Sequence, residues 1–284
     1  MSRNSIRRYP LVTPQNRFTE LINIMELEVV KRVAIAAAYK GGRVLLSHLG
    51  RISKINKKGA IDLVTEADTE SETIILETIR ANFPDHAILA EESGLNKGED
   101  KYKWIIDPLD GTTNFAHGLS LFSISIAFAL NEDIVIGIVL NPAAGELFTA
   151  IAGQGASLNG RPIIVAESQT VSESLLVTGF PYDFNKNFNP LLTRFANCLK
   201  ASQGVRRLGS AALDLCFVAS GRFAGFWEQN LKPWDTAAGA LIASEAGAVI
   251  TDFSNRPYTI DKKEILATNG KIHGEMLSLL KLNL

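Results

Sequence analysis

The chain has 284 residues, 46% hydrophobic and 21% charged, so it can bury a sizeable core. A net charge of -1 excludes the broad basic footprint of a nucleic-acid binder. No run reaches the ~18 apolar residues of a membrane span, and two cysteines, Cys198 and Cys216, are too few for a disulfide framework.

Those thiols read as reduced and structural, which fits a cytoplasmic setting. The first 15 residues, with Pro10 and Pro14, read as a flexible tail. Residues 16–284 read as one domain, an antiparallel half over about 16–170 followed by an α/β half over about 171–284. Residues 17–49 carry apolar positions at helical spacing, from Leu21 to Ala37. Residues 54–60 are polar and read as a loop. Thr69-x-x-Glu72 has the form of a capping box and predicts a helix through Asn82, stopped before Pro84.

The pattern then changes. Residues 87–90 and 104–106 are short apolar runs that end in acids. Residues 121–130 alternate: Phe122, Ile124, Ile126, Phe128 and Leu130 share one parity, with small residues between. Residues 134–140 and 146–152 follow after tight turns, predicting an antiparallel meander, and Asn159-Gly160 marks another turn. Beyond it, strands are expected over 175–178, 223–227, 248–251 and 265–268. Helices are expected over 190–200, 210–220, 234–246 and 273–282, an alternation that suggests layers.

Carboxylates gather at the ends of these elements: Asp68, Glu91-Glu92, Asp107-Pro108-Leu109-Asp110-Gly111-Thr112-Thr113-Asn114, and Trp234-Asp235. In the longest of these blocks an apolar strand runs into Asp107, and Pro108 lacks the N–H that would continue the ladder. The chain must turn there, so Asp107 and Asp110 can face one point. Gly111 permits an unusual dihedral. Thr112 and Thr113 open a helical turn whose free N–H groups form an anion site. Acids beside a phosphate demand a cation between them, and hard oxygens select magnesium, which takes one or two carboxylates plus substrate phosphate. Competing chemistries lack their signatures: the four histidines are dispersed, and neither a Gly-x-Ser-x-Gly elbow nor a Gly-x-x-x-x-Gly-Lys loop is present.

Three blocks make the chain recognisable. Ala90-Glu-Glu-Ser93, Trp104-Ile-Ile-Asp-Pro-Leu-Asp-Gly-Thr-Thr-Asn-Phe115 and Trp234-Asp-Thr-Ala-Ala-Gly239 resemble, in order and separation, the inositol monophosphatase family, from about Ile24 to the C-terminus. The resemblance implies a layered α-β-α-β-α sandwich of the inositol monophosphatase and fructose-1,6-bisphosphatase type. It implies a homodimer, and a lithium-sensitive, magnesium-dependent hydrolysis of a small phosphate monoester such as an inositol monophosphate. Two to three magnesium ions are implied. Glu91, Asp107 and the Leu109 carbonyl would hold the first, and Asp107, Asp110 and Asp235 the second, with a weaker third near Glu91. Asp68 and Thr112 would orient and deprotonate the attacking water, with no covalent intermediate. Gly111 and Thr112 would take the phosphate through backbone N–H groups. Glu228 and Ala211 would meet the hydroxyls of the substrate beside Asp110 and Asp235. Lys57 falls where a lysine supports the outer metal.

Two alternatives follow from the same resemblance. Other members act on histidinol phosphate, fructose bisphosphate or adenosine bisphosphate. Leu-Val-Thr-Gly-Phe-Pro-Tyr182 and Val-Arg-Arg-Leu-Gly-Ser-Ala-Ala-Leu-Asp-Leu215 are similar to the bacterial SuhB branch, which implies a partnership with RNA polymerase in ribosomal RNA synthesis. Arg206-Arg207 is the candidate contact, or else a solvated strand edge.

Overall fold

The alternation in residues 121–130 builds two different interfaces on one strand. The computed structural model describes residues 24–51, 55–57, 63–96, 98–181 and 188–282; the expected tail lies outside them. In chain order the elements are α1 (Ile24–His48), β1 (Ile55–Lys57), β2 (Leu63–Thr65), α2 (Glu66–Arg80), β3 (His86–Ala90), β4 (Gly94–Asn96), β5 (Glu99–Asp110), α3 (Thr112–Ala116), β6 (Ser123–Leu130), β7 (Asp133–Asn141), β8 (Glu146–Ile151), β9 (Ala156–Leu158) and β10 (Arg161–Pro162). The second half continues with β11 (Leu175–Thr178), α4 (Phe188–Ala201), β12 (Gly204–Arg206), α5 (Ala211–Ala219), β13 (Gly225–Gln229), α6 (Pro233–Glu245), β14 (Val249–Thr251), β15 (Glu264–Thr268) and α7 (His273–Leu280).

An eight-stranded sheet runs β10-β9-β8-β7-β6-β5-β3-β4, antiparallel except where β3 pairs with β5. The predicted meander is its centre, β6-β7-β8. A five-stranded sheet runs β12-β11-β13-β15-β14, parallel around β11 and antiparallel around β15. The large side chains of β6, Ile124, Ile126 and Phe128, pack with Ala37, Leu45, Ile75 and Ile79 of α1 and α2. Its small side chains, Ala127 and Ala129, face Ala212, Leu215, Ala238 and Leu241 of α5 and α6. On the far side of those helices the second sheet packs Leu176, Trp227 and Leu266 against Cys198, Met276 and Leu280 of α4 and α7. Five layers result: helices, large sheet, helices, small sheet, helices. That is the sandwich the family resemblance implies.

Small residues decide how close the middle layers come. A Cβ on Gly137 would lie 2.6 Å from the Ala238 carbonyl oxygen, so α6 rests directly on the backbone of β7. Ser125 Oγ donates to the Trp234 carbonyl at 3.1 Å, tying β6 to the start of α6. Both cysteines are buried and unpaired, and burial pushes the Cys198 thiol up to about 12, as expected of inert thiols. Among the described residues, no helix is long and apolar enough to cross a membrane.

Three local expectations need correction. Residues 55–57 form a strand paired with residues 63–65, where polarity alone suggested a loop. The capping box of α2 begins four residues earlier than Thr69: Thr65 is the N-cap, and Asp68 closes the box by accepting from Thr65 N at 2.8 Å. Pro108 does not end β5. A register shift between Asp107, opposite Ser125, and Asp110, opposite Ser123, absorbs Pro108 and Leu109 within the strand.

Candidate active site

Five segments converge on a cavity of about 350 Å³. Glu91 follows β3, whose end is anchored by Glu91 N donating to the Ile106 carbonyl at 3.1 Å. Asp107 and Asp110 come from the irregular end of β5, Asp235 from the first turn of α6, Glu228 from β13, and Ala211 from the start of α5. Leu109, Gly111 and Thr112 complete the lining among the predicted residues. Asp68 lies just behind this wall, with its Oδ1 3.2 Å from Thr112 Oγ1. Lys57 sits on β1, and its side chain lies outside the described residues.

The four aspartates are fixed by hydrogen-bond donors around them. Asp107 Oδ1 accepts from Leu109 N at 2.9 Å, which shapes the bulge. Asp110 Oδ2 accepts from Ser210 Oγ at 2.5 Å and from Ala212 N at 2.9 Å, so it caps the start of α5. Asp235 Oδ2 accepts from Lys232 N at 2.7 Å, closing the first turn of α6. Asp68 uses Oδ2 on Thr65 N and on Thr65 Oγ1, the latter at 2.6 Å. The Thr112 hydroxyl also reaches the Leu109 carbonyl at 3.1 Å. Its one proton is therefore shared between Asp68 and the bulge. Gly111 takes φ 94°, and a Cβ there would meet the Leu121 carbonyl oxygen at 2.9 Å. Only glycine lets α3 begin in this place.

Burial raises the acids, and for Asp107 and Asp235 the neighbouring acids add to the rise. Burial pushes Asp107 well above the usual carboxylate range, and Glu91, Asp110 and Asp235 push it further. Burial likewise raises Asp235 against the Lys232 N–H, with Asp110 and Glu91 adding to the rise. Asp110 is pushed up to about 6 by burial, opposed by its bonds from Ser210, Ala212 and Ala211. Asp68 reaches about 6, again through burial, opposed by Thr65. Glu228 is raised by burial and then by Asp235. Hydrogen bonds and nearby positive charge are what favour the ionised form of such a cluster.

Among the described residues, no three acidic, histidine or cysteine side chains close into a ready-made metal cage. The donor set nevertheless fits a divalent cation. Every donor is a hard oxygen, the acids repel one another, and magnesium keeps waters and takes few carboxylates at a time.

The structure also shows residues that reading along the chain missed. Ser71 Oγ donates to the Pro108 carbonyl at 3.0 Å. Glu72 accepts from the backbone N–H groups of Glu92 and Ser93, at 2.9 Å each. Ser210 bridges Asp110 and α5, a role its place before an apolar helical run could have signalled. Asp214 is buried on α5 with both carboxylate oxygens unpartnered among the described residues, and burial and then Glu228 push it well up. Arg206 and Arg207 are both exposed; Arg207 also lines the cavity.

Known proteins share this fold. Residues 26–282 match the model of the inositol monophosphatase family. The chain is 46% identical over 253 residues to an inositol-1-monophosphatase of Synechocystis sp., covering 88% of each protein. It is 38% identical over 262 residues to the Nus factor SuhB of Pseudomonas aeruginosa, covering 90% of this chain and 97% of that one. The crystal structure of the extragenic suppressor protein SuhB from Bartonella henselae superposes with a TM-score of 0.87 at 39% identity, covering 90% of this chain and all of that one. With that fold, those relatives and acids converging on one cavity, the chain is a phosphatase belonging to the inositol monophosphatase family.

Proposed function

We propose that the chain hydrolyses inositol monophosphates to inositol and phosphate in a magnesium-dependent reaction. The observation that carries this reading is the convergence of Glu91, Asp107, Asp110 and Asp235 on one cavity beside the glycine-led start of α3. Glu91, Asp107, the Leu109 carbonyl, Asp110 and Asp235 would hold two to three magnesium ions, with Lys57 supporting the outermost. When bound, the cations would neutralise the acids and polarise the phosphoryl group. The Gly111 and Thr112 N–H groups receive phosphate oxygens. Asp68 takes a proton from the attacking water through the Thr112 hydroxyl, and a carboxyl near 6 suits a base working close to neutral pH. No side chain becomes covalently phosphorylated, because the residues supply positioning and charge. Glu228 and the Ala211 backbone select the hydroxyls of the leaving group.

The reading extends to a cytoplasmic homodimer, inhibited by lithium, with residues 16–284 acting as one catalytic domain. The test is phosphate release from inositol, sugar, histidinol and nucleotide phosphates, with and without magnesium. Inositol monophosphates are expected to be turned over fastest, and Asp235→Asn is expected to abolish turnover at unchanged fold. Equal magnesium-dependent activity in that variant would remove Asp235 from the site.

A second reading makes the chain a partner of RNA polymerase as well. It is favoured by the 38% identity to a Nus factor and by the exposed Arg206 on the edge strand β12. Capture of purified RNA polymerase by the wild type, lost in Arg206→Ala, supports it; equal capture by both removes Arg206 from the contact.

A further inference from the structure

One face of α2 holds three separate active-site segments. Asp68, Ser71 and Glu72 lie three and four positions apart, so they point the same way. Asp68 faces Thr112 at the start of α3, and Ser71 holds the Pro108 carbonyl within the β5 bulge. Glu72 holds the segment after β3. Its Oε2 accepts from Glu92 N and its Oε1 from Ser93 N, each at 2.9 Å, and the side chain is only 4% exposed. On the other side of this clamp, Glu91 N is tied to the Ile106 carbonyl at 3.1 Å. Glu91 is therefore pinned from both directions, by β5 through its own N–H and by Glu72 through the two residues that follow.

We propose that Glu72 is a positioning residue that presets Glu91 for a divalent cation. The inference rests on the metal-dependent reading above. A carboxylate suits this clamp because it gives each of the two neighbouring N–H donors its own charged acceptor oxygen. Glutamine has nearly the same shape but supplies one oxygen, and its NH₂ group would meet the second N–H. Groups that orient a metal ligand without touching the metal typically change metal affinity by about 10- to 100-fold when replaced.

Glu245 provides an internal control. It clamps two backbone N–H groups in the same manner, those of Gly153 and Gly155 at 2.8 Å each, and it does not line the cavity. The experiment is calorimetric titration of Mg²⁺ into the metal-stripped wild type, Glu72→Gln and Glu245→Gln, with thermal melts of each. Glu72→Gln is expected to weaken cation binding about tenfold or more, and saturating magnesium should restore much of its turnover. Glu245→Gln is expected to lower the melting temperature without moving the cation affinity. If Glu72→Gln does not fold, Glu72→Asp, which keeps both oxygens but draws them back by one methylene, should weaken binding in the same direction. Wild-type affinity in the folded Glu72 variant, or an equal loss in Glu245→Gln, overturns the proposal. A wild type that takes up no cation overturns the metal reading itself and this inference with it, a result distinct from either.

Discussion

The two sheets approach the cavity in different ways. The eight-stranded sheet brings Asp107 and Asp110 from β5 and Glu91 from the end of β3; the two Asp carboxylates accept from backbone or hydroxyl donors around them, and Glu91 donates its backbone N–H to the Ile106 carbonyl. The five-stranded sheet brings Glu228 from β13, together with Gly179 to Pro181 after β11. On the proposed reading, the first group handles the charge of the reaction and the second meets the leaving group. Charge stabilisation tolerates little movement, because preorganised groups act only where charge develops. A single contact to a substrate hydroxyl contributes about 0.5–1.5 kcal/mol net. On that reading, reaction and selectivity fall to separate layers, joined by α5 and α6.

Variants on either side should therefore separate. Asp110→Asn, on the large-sheet side, shares with Asp235→Asn the largest expected effect, a loss of roughly 10³-fold or more in turnover for every phosphate monoester, checked by phosphate release with circular dichroism to confirm the fold. Next comes Asp68→Asn, expected to cost about 10²-fold or more in rate. It also has a signature in stability. The folded carboxyl sits near 6 against an ordinary value of 3.8, so the native state binds the extra proton between those values. Stability of the metal-free wild type should then fall as pH rises from about 4 to 6, and Asp68→Asn should lack that part of the slope. Urea denaturation at several pH values measures it.

Gly137→Val tests the joint between the layers. Its new side chain meets the Ala238 backbone, and a loss of about 1–3 kcal/mol is expected, read as a lower denaturation midpoint. The smallest effect belongs to Glu228→Gln, on the small-sheet side. A drop of about tenfold in kcat/KM is expected for inositol phosphates, the size of one polar contact, with little change for a simple aryl phosphate that lacks the ring hydroxyls. Equal losses on both substrates would collapse the distinction between the two sheets.

Much of this arrangement was legible along the chain. The parity of Phe122, Ile124, Ile126 and Phe128 against Ala127 and Ala129 reports two interfaces, because strand periodicity sends alternate residues to opposite faces. The Asp107–Asn114 block is local, so its strand, bulge, glycine and helix start lie within eight consecutive residues. What escaped was long-range. Glu72 matches a capping acid by spacing, yet Thr65 and Asp68 already form the box, and Glu72 bonds residues 20 and 21 positions away. Ser210 finds Asp110 at a separation of 100, and Asp214 reads as an ordinary first-turn acid until both its oxygens prove unpartnered among the described residues. Pro108 suggested the end of a strand because its missing N–H is a local fact, whereas the register shift opposite Ser123 and Ser125 is a property of the pair.

The most direct test is to titrate magnesium into the metal-stripped wild type and Asp110→Asn, measuring phosphate release from inositol 1-phosphate at each concentration. The wild type should be silent with chelator and gain activity saturably, while Asp110→Asn stays silent throughout. Full wild-type turnover in chelator, or a variant that tracks the wild type across the titration, would contradict the idea that buried acids and divalent cations together perform the hydrolysis.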